Sequence, residues 1–334
     1  MQPFEQLEHN WARWNDLDPL GMVACSSGTS ALHLALEAMQ LPQGSRCIVP
    51  DLTMIACPRA VTLAGLKPVF VDCGDDLLMD PELWIRAIDG PTEAVMFVHI
   101  YGRRCTFPPQ WDNYGSTIKI IEDLAEAHGI RPHHQTNAAC WSFYKNKIIA
   151  GEEGGAVWFR DNEHAKLAQQ LRSLGFTDAH DFNHIPRGHN YRMSNEHANL
   201  IIESLKNYGY NVDDRRQQID YLDAACPLEW RMPPRQVPWV YDLRIPGMTS
   251  AQQNAVVKAL NNIDIAARYC FKPCSRQPEY VNTKMMAGDN INGTKSSVAA
   301  REVIYLPLTP GPPRIDGIVF GIILAALYAN GYKG

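Results

Sequence analysis

No run in this 334-residue chain is apolar for long enough to cross a bilayer: the longest greasy stretch, Gly317 to Ala329, falls short of the ~20 residues a spanning helix needs. It reads instead as a buried helix, capped by Asp316 and stopped at Asn330-Gly331. Basic excess is missing too. The formal net charge is -5, so no cationic face is expected and nucleic acid is set aside as a partner. The nine cysteines, from Cys25 to Cys274, contain no paired C-x-x-C ladder of the kind that holds zinc, and an odd number fits buried reduced thiols. His133-His134 and the group His180, His184, His189 offer no i, i+4 pair with an acid on a convincing helix, so no metal is expected. There is no Walker A loop, no GxGxxG fingerprint and no internal repeat. The opening residues MQPFEQLEHNWARW carry acids and lack an apolar core, unlike a signal or transit peptide, and a cytoplasmic setting is expected.

What is present is the balance of an ordinary globular protein, 46% hydrophobic and 20% charged, in a chain long enough for a large domain and a smaller one. Short apolar runs at Met22–Cys25, Arg46–Val49, Lys67–Val71, Ala94–His99, Ile118–Ile121, Ala139–Ser142 and Gly155–Phe159 predict strands. Helix-like segments at Ser30–Met39, Ile55–Leu63 and Pro81–Ile88, and a weaker one before Ile118, alternate with them. That pattern predicts a mostly parallel sheet with helices on it, whose ligand chemistry belongs on the loops beyond the strand ends. After Arg192 come a helix-like run at Glu196–Leu205, a charged segment DDRRQQIDYLD, Pro-rich connections, a strand at Trp239–Ile245 and a helix at Ser250–Asn261. The expected division is a large domain over residues 1–206 and a small α+β domain over 207–334.

Three segments carry chemistry. Cys25-Ser26-Ser27-Gly28-Thr29-Ser30 is a small-residue turn between a strand and a helix; it suits a phosphate at the helix N-terminus, and equally reads as a simple Ser/Thr cap. Ile118–Asp123 is a β-branched strand ending in two acids. Alternation puts Glu122 and Asp123 on opposite faces, so one of them can meet a ligand above the sheet, or merely cap a helix over Leu124–His128. Trp141–Lys147, with GEEGG shortly after it, sets a lysine on a turn between two strands, with glycines that let backbones approach closely. Such an amine can bond to a bound aldehyde, or be one more solvated lysine.

Together, SGTSALHLAL, IEDLAEAHG and SFYKNKIIAGEEGG resemble, in order and strand context, the DegT/DnrJ/EryC1/StrS family of sugar aminotransferases that depend on pyridoxal 5'-phosphate (PLP). LKPVFVDCGDDLLMDPELWIRAI, VHIYG, GHNYRMS, IAARYCFKPCSRQPEY and IYLPLTPG extend the resemblance from about residue 20 to about residue 310. It implies a type I PLP-transferase fold, like aspartate aminotransferase. It also implies that Lys147, five places after Ser142, carries the cofactor, and that Asp123 sits beneath its pyridine nitrogen. Glu126 would approach the ring hydroxyl, Gly28, Thr29 and Ser142 would hold the phosphate, and Met54 stands where the family commonly has an aromatic cover for the ring. Asn190 would reach the phosphate of a neighbouring subunit, which implies a homodimer with shared sites. Lys145 is a bystander. Arg268 stands where a basic group could meet an anionic part of the substrate, although a solvated arginine reads as well.

Fewer residues precede the cofactor loop than the family usually carries, and Met54 is not aromatic; both bear on the substrate. The implied reaction moves an amino group from glutamate or glutamine to a keto sugar, probably in the nucleotide-linked form the family uses. The alternatives are a PLP-dependent sugar dehydratase, against which the retained Lys147 argues, and a PLP-binding regulatory protein without turnover.

Overall fold

The structure, a computed structural model, describes residues 1–107, 117–177, 182–286, 293–308 and 318–333. The weak helix expected before Ile118, His180, and the Asp316 cap lie outside them.

Eleven strands are described: β1 (Met22–Cys25), β2 (Arg46–Pro50), β3 (Lys67–Val71), β4 (Thr92–Val98), β5 (Lys119–Asp123), β6 (Ala138–Ser142), β7 (Gly155–Phe159), β8 (Val240–Arg244), β9 (Arg268–Tyr269), β10 (Met285–Met286) and β11 (Val303–Pro307). The large sheet runs β1-β7-β6-β5-β4-β2-β3-β10, parallel from β6 to β10 and antiparallel at the β1 end. Its strands are buried almost throughout, as parallel strands covered on both faces must be, which is why they read as plain apolar runs. A three-stranded antiparallel sheet, β8-β11-β9, forms the second layer system.

The helices among the described residues are α1 (Pro3–Trp14), α2 (Gly28–Ala38), α3 (Ala56–Leu63), α4 (Pro81–Ala87), α5 (Asn162–Arg172), α6 (Asn195–Lys206), α7 (Tyr208–Ala225), α8 (Ser250–Asn261), α9 (Lys295–Glu302) and α10 (Ile318–Ala329). Helix α2 starts two residues before the predicted Ser30, because Ser27 is its N-cap and accepts from Ser30 N. The charged segment DDRRQQIDYLD forms the body of α7, with Arg215, Gln218 and Leu222 turned inward. Nor is α10 buried all round: Val319, Phe320, Ile323 and Leu327 face the small-sheet core, while Ile318 and Tyr328 are exposed.

The cores are two. One follows the large sheet; the other gathers Leu222, Trp230, Tyr241, Val256, Ile304 and Phe320 around the small sheet. The chain after residue 270 crosses back, since Cys274 and Tyr280 pack in the first core and β10 pairs with β3.

Candidate active site

Strand ends deliver the site. Asp123 closes β5, Ser142 closes β6, and the turn from β6 to β7 carries Lys147. That turn is pinned by Phe143 N to Gly154 O (2.8 Å), Gly151 N to Phe143 O (2.8 Å) and Lys147 N to Tyr144 O (2.8 Å). Buried His128 clips it from behind, donating Nε2–H to Ser142 O (3.0 Å) and accepting from Ile149 N at Nδ1 (3.2 Å). Burial, aided by the Lys147 charge, pushes this imidazole down to about 3, so it stays neutral in that role.

A cavity of about 500 Å³ opens over these ends, lined by Ser27, Gly28, Thr29, Met54, Asp123, Glu126, Ser142 and Lys147, and also by Tyr144, Trp239, Phe271 and Tyr305. Seven of the eight residues singled out from the sequence therefore share one hollow. The eighth, Asn190, is exposed and not part of this lining; it pairs with Ser173 through a backbone bridge. Lys145 is exposed, and Arg268, exposed on β9 beside the lining residue Tyr305, is not itself part of the lining.

Within the hollow, Lys147 Nζ lies 4.0 Å from Glu126 Oε1 and 4.1 Å from the centre of the Trp239 ring. Burial lowers the Lys147 amine from its ordinary range, against the pull of Glu126 and Asp123. Glu126 accepts from Tyr101 N (2.8 Å), and burial raises its carboxyl to about 7 although Lys147 opposes the shift. Asp123 Oδ1 accepts from Ala125 N (2.9 Å) and Oδ2 from the Cys57 thiol (3.2 Å). Burial, reinforced by the Asp123 charge, drives Cys57 well above the usual thiol range, so the sulfur keeps its proton and remains a donor.

The alternation of β5 is realised. Glu122 turns to the other face, where it accepts from His99 Nε2 (2.7 Å), His133 N (2.6 Å) and the Thr136 hydroxyl. His99 Nδ1 accepts from Cys105 N, which leaves its proton on Nε2. Glu122 is thus a buried clasp, and Asp123 alone faces the cavity.

PLP can be tested against this hollow. At the α2 N-terminus, Ser30 N and Ala31 N are taken by the Ser27 hydroxyl and carbonyl, so the N–H groups of Gly28 and Thr29 have no intrahelical acceptor. A Cβ at Gly28 would stand 2.7 Å from Ser142 Cβ, and one at Gly155 2.2 Å from Ser27 O. Glycine at both positions keeps open a cradle edged by N–H groups and a hydroxyl, which suits a phosphate. An amine and a carboxylate stand deeper in. The residues fit the cofactor.

Sequence reasoning passed over Cys57, Trp239, Phe271 and Tyr305. Cys57 sits one helical turn from Thr53 next to the Met54 segment, a signal that was available; the others come from beyond residue 230, and only tertiary folding brings them here.

Comparison with known proteins identifies the family. GDP-perosamine synthase of Caulobacter vibrioides is 30% identical over 275 residues, 78% of this chain and 74% of that protein. The UDP-2-acetamido-2-deoxy-3-oxo-D-glucuronate aminotransferase of Pseudomonas aeruginosa is 28% identical over 327 residues, 91% of this chain and 85% of its own. The PLP-form of Spr1654 from Streptococcus pneumoniae superposes with a TM-score of 0.81 at 23% identity, covering 98% of this chain and 90% of that one, a likeness of fold. The model of the DegT/DnrJ/EryC1/StrS aminotransferase family matches residues 6–313, and this chain belongs to that family, as a transaminase whose cofactor is PLP.

Proposed function

We propose that the enzyme transfers an amino group from glutamate or glutamine to a keto sugar carried on a nucleotide. The observation that supports this most directly is the convergence of Lys147, Asp123 and the Gly28 cradle in one cavity. Relatives named for GDP- and UDP-linked sugars add the substrate class.

In this reading PLP, when bound, supplies the electron sink that the chemistry needs. Gly28, Thr29 and Ser142 hold its phosphate. Lys147 would hold it through its amine, and its Nζ, when free, would move a proton to and from the substrate carbon. Desolvation suits the amine to that work by making the neutral form easier to reach. Asp123 keeps the pyridine nitrogen protonated, with its carboxylate oriented by Ala125 N and Cys57. Glu126, raised to about 7 and 4.0 Å from Lys147, can exchange a proton with that amine. Trp239 and Met54 would confine the ring, and Asn190 would reach the phosphate bound by a second copy of the chain in a homodimer.

The test is a half-reaction. Protein loaded with PLP should lose its visible absorbance on adding glutamate or glutamine, and a nucleotide-linked keto sugar should restore it while cyclitol ketones do not. Bleaching by neither donor, or recovery with cyclitol ketones alone, would overturn the assignment.

A further inference from the structure

A second cluster of ligating groups lies outside the cavity. His33 and Glu37 stand one turn apart on the same face of α2, and His189 comes to them from the segment that links α5 to α6. Their ligand atoms all fall within 4.8 Å of one another. His189 Nε2 is 2.5 Å from Glu37 Oε2, and His33 Nε2 is 3.6 Å from Glu37 Oε1. The pattern of an imidazole and an acid four apart on a helix was present in the sequence as His33-x-x-x-Glu37, but the third member is far away along the chain.

Two features set this group apart from a simple ion pair. His33 is 4% exposed, yet its Nε2 makes no well-formed hydrogen bond: it faces Glu37 Oε1 from just beyond bonding range, with the Leu63 backbone close to the ring. Its other nitrogen, Nδ1, is engaged by the Tyr191 hydroxyl at 3.1 Å. In the tautomer that donates Nδ1–H to this hydroxyl the ring presents a lone pair at Nε2, which is how outer-shell contacts prepare a histidine for a metal. Burial also favours the neutral, ligating form of His33.

We propose that His33, Glu37 and His189 bind a zinc ion. Two imidazoles and one carboxylate are a donor set that suits zinc, whereas magnesium and calcium prefer oxygen alone. Zinc bonds of about 2.0–2.2 Å put tetrahedral neighbours roughly 3.4 Å apart. The present separations bracket that spacing, so modest side-chain rotations suffice. His189, 23% exposed in its side chain, leaves a side open for a water as fourth ligand.

The ion would tie two parts of the fold together. Segment 189–191 is already fastened by His189 N to Leu171 O (2.6 Å), Tyr191 N to Arg172 O (2.9 Å) and Ser26 N to Tyr191 O (2.8 Å). Zinc would add a bond from this segment to α2, the helix whose first residues edge the phosphate cradle. It is a structural site, with no part in the amino transfer.

The experiment uses the PLP-loaded full chain, dialysed against buffered zinc and then zinc-free buffer, with retained metal measured by elemental analysis. The wild type is expected to keep about one zinc per chain and His134→Ala, at an exposed histidine, the same, while Glu37→Gln and His189→Ala bind at least about tenfold more weakly. Zinc, but not magnesium, should raise the melting temperature of the wild type and leave those two variants unmoved. Failure of the wild type to retain zinc, or equal retention in Glu37→Gln and His189→Ala, would overturn the proposal. Loss of retention in His134→Ala would do the same. Neither result would touch the reading of the catalytic cavity.

Discussion

Cys57 shows how much of the site rests on a side chain that carries no chemistry of its own. Its thiol donates to Asp123 Oδ2 and is itself in contact with the Thr53 hydroxyl at 3.3 Å. Hydrogen bonds to charged groups contribute about 1.5–3 kcal/mol, and here the bond also fixes the direction of the carboxylate. Cys57→Ala should therefore slow the glutamate half-reaction roughly tenfold or more, the rate equivalent of about 1.4 kcal/mol, with Cys57→Ser recovering most of the rate. Stopped-flow absorbance on both variants measures it, and equal rates in wild type and Cys57→Ala would show that Asp123 is oriented without the thiol. From sequence, the places of Lys147 and Asp123 at the strand ends were legible through the family-like motifs IEDLAEAHG and SFYKNKIIAGEEGG that contain them. Cys57 was not, since a buried cysteine reads first as core.

At the scale of elements, the turn that carries Lys147 is held by an element that is itself held from below. Trp11 of α1 packs edge-on against His128, Trp141 and Phe143, the residues around the clip and the end of β6. Helix α1 is legible in principle, because Phe4, Leu7, Trp11 and Trp14 repeat at three and four with Pro3 at the first turn; asking only whether the segment is a targeting signal passes over that period. Helix α5 is hidden for a plainer reason, being polar over most of its surface. Because native His128 is held at about 3 and an unfolded imidazole titrates near 6.5, the unfolded chain takes up the extra proton as pH falls. Stability should thus drain away between about pH 6.5 and pH 3. Between pH 7 and pH 5 this one group should cost about 2 kcal/mol. Urea unfolding at the two pH values, for wild type and His128→Gln, isolates it: the variant should lose less by that amount, and identical losses would mean the imidazole is not protected from protons.

Across the whole molecule, the strands of the large sheet and its mostly parallel character were legible from the alternation of apolar runs with helices, but their order was not. The route of the chain after residue 207 was less legible. Strands β9 and β10 have only two residues each, too few for a period, and the return of β10 to the large sheet depends on contacts far apart in sequence. One joint between the layers is ionic. Arg103, after β4, and Arg235 both grip Asp242 of β8, at 2.8–3.0 Å and 2.8 Å. Burial would raise the Asp242 carboxyl, yet the two guanidiniums hold it below its ordinary range. Asp242→Asn leaves buried positive charge unanswered and should destabilise the protein by about 3–5 kcal/mol in chemical denaturation; a loss under about 1 kcal/mol would show the triad to be solvated. None of the described helices is long and apolar enough to cross a membrane. The cavity is lined from both sheets, with the Trp239 ring packed against the Lys147 amine and Tyr305 of β11 in the wall. Borohydride reduction of the PLP-loaded protein, coupled to peptide mass spectrometry, tests the central claim most directly. A covalent cofactor is expected on Lys147, retained in Lys145→Ala and abolished in Lys147→Ala; a label on Lys145, or undiminished labelling of Lys147→Ala, would refute the assignment of Lys147.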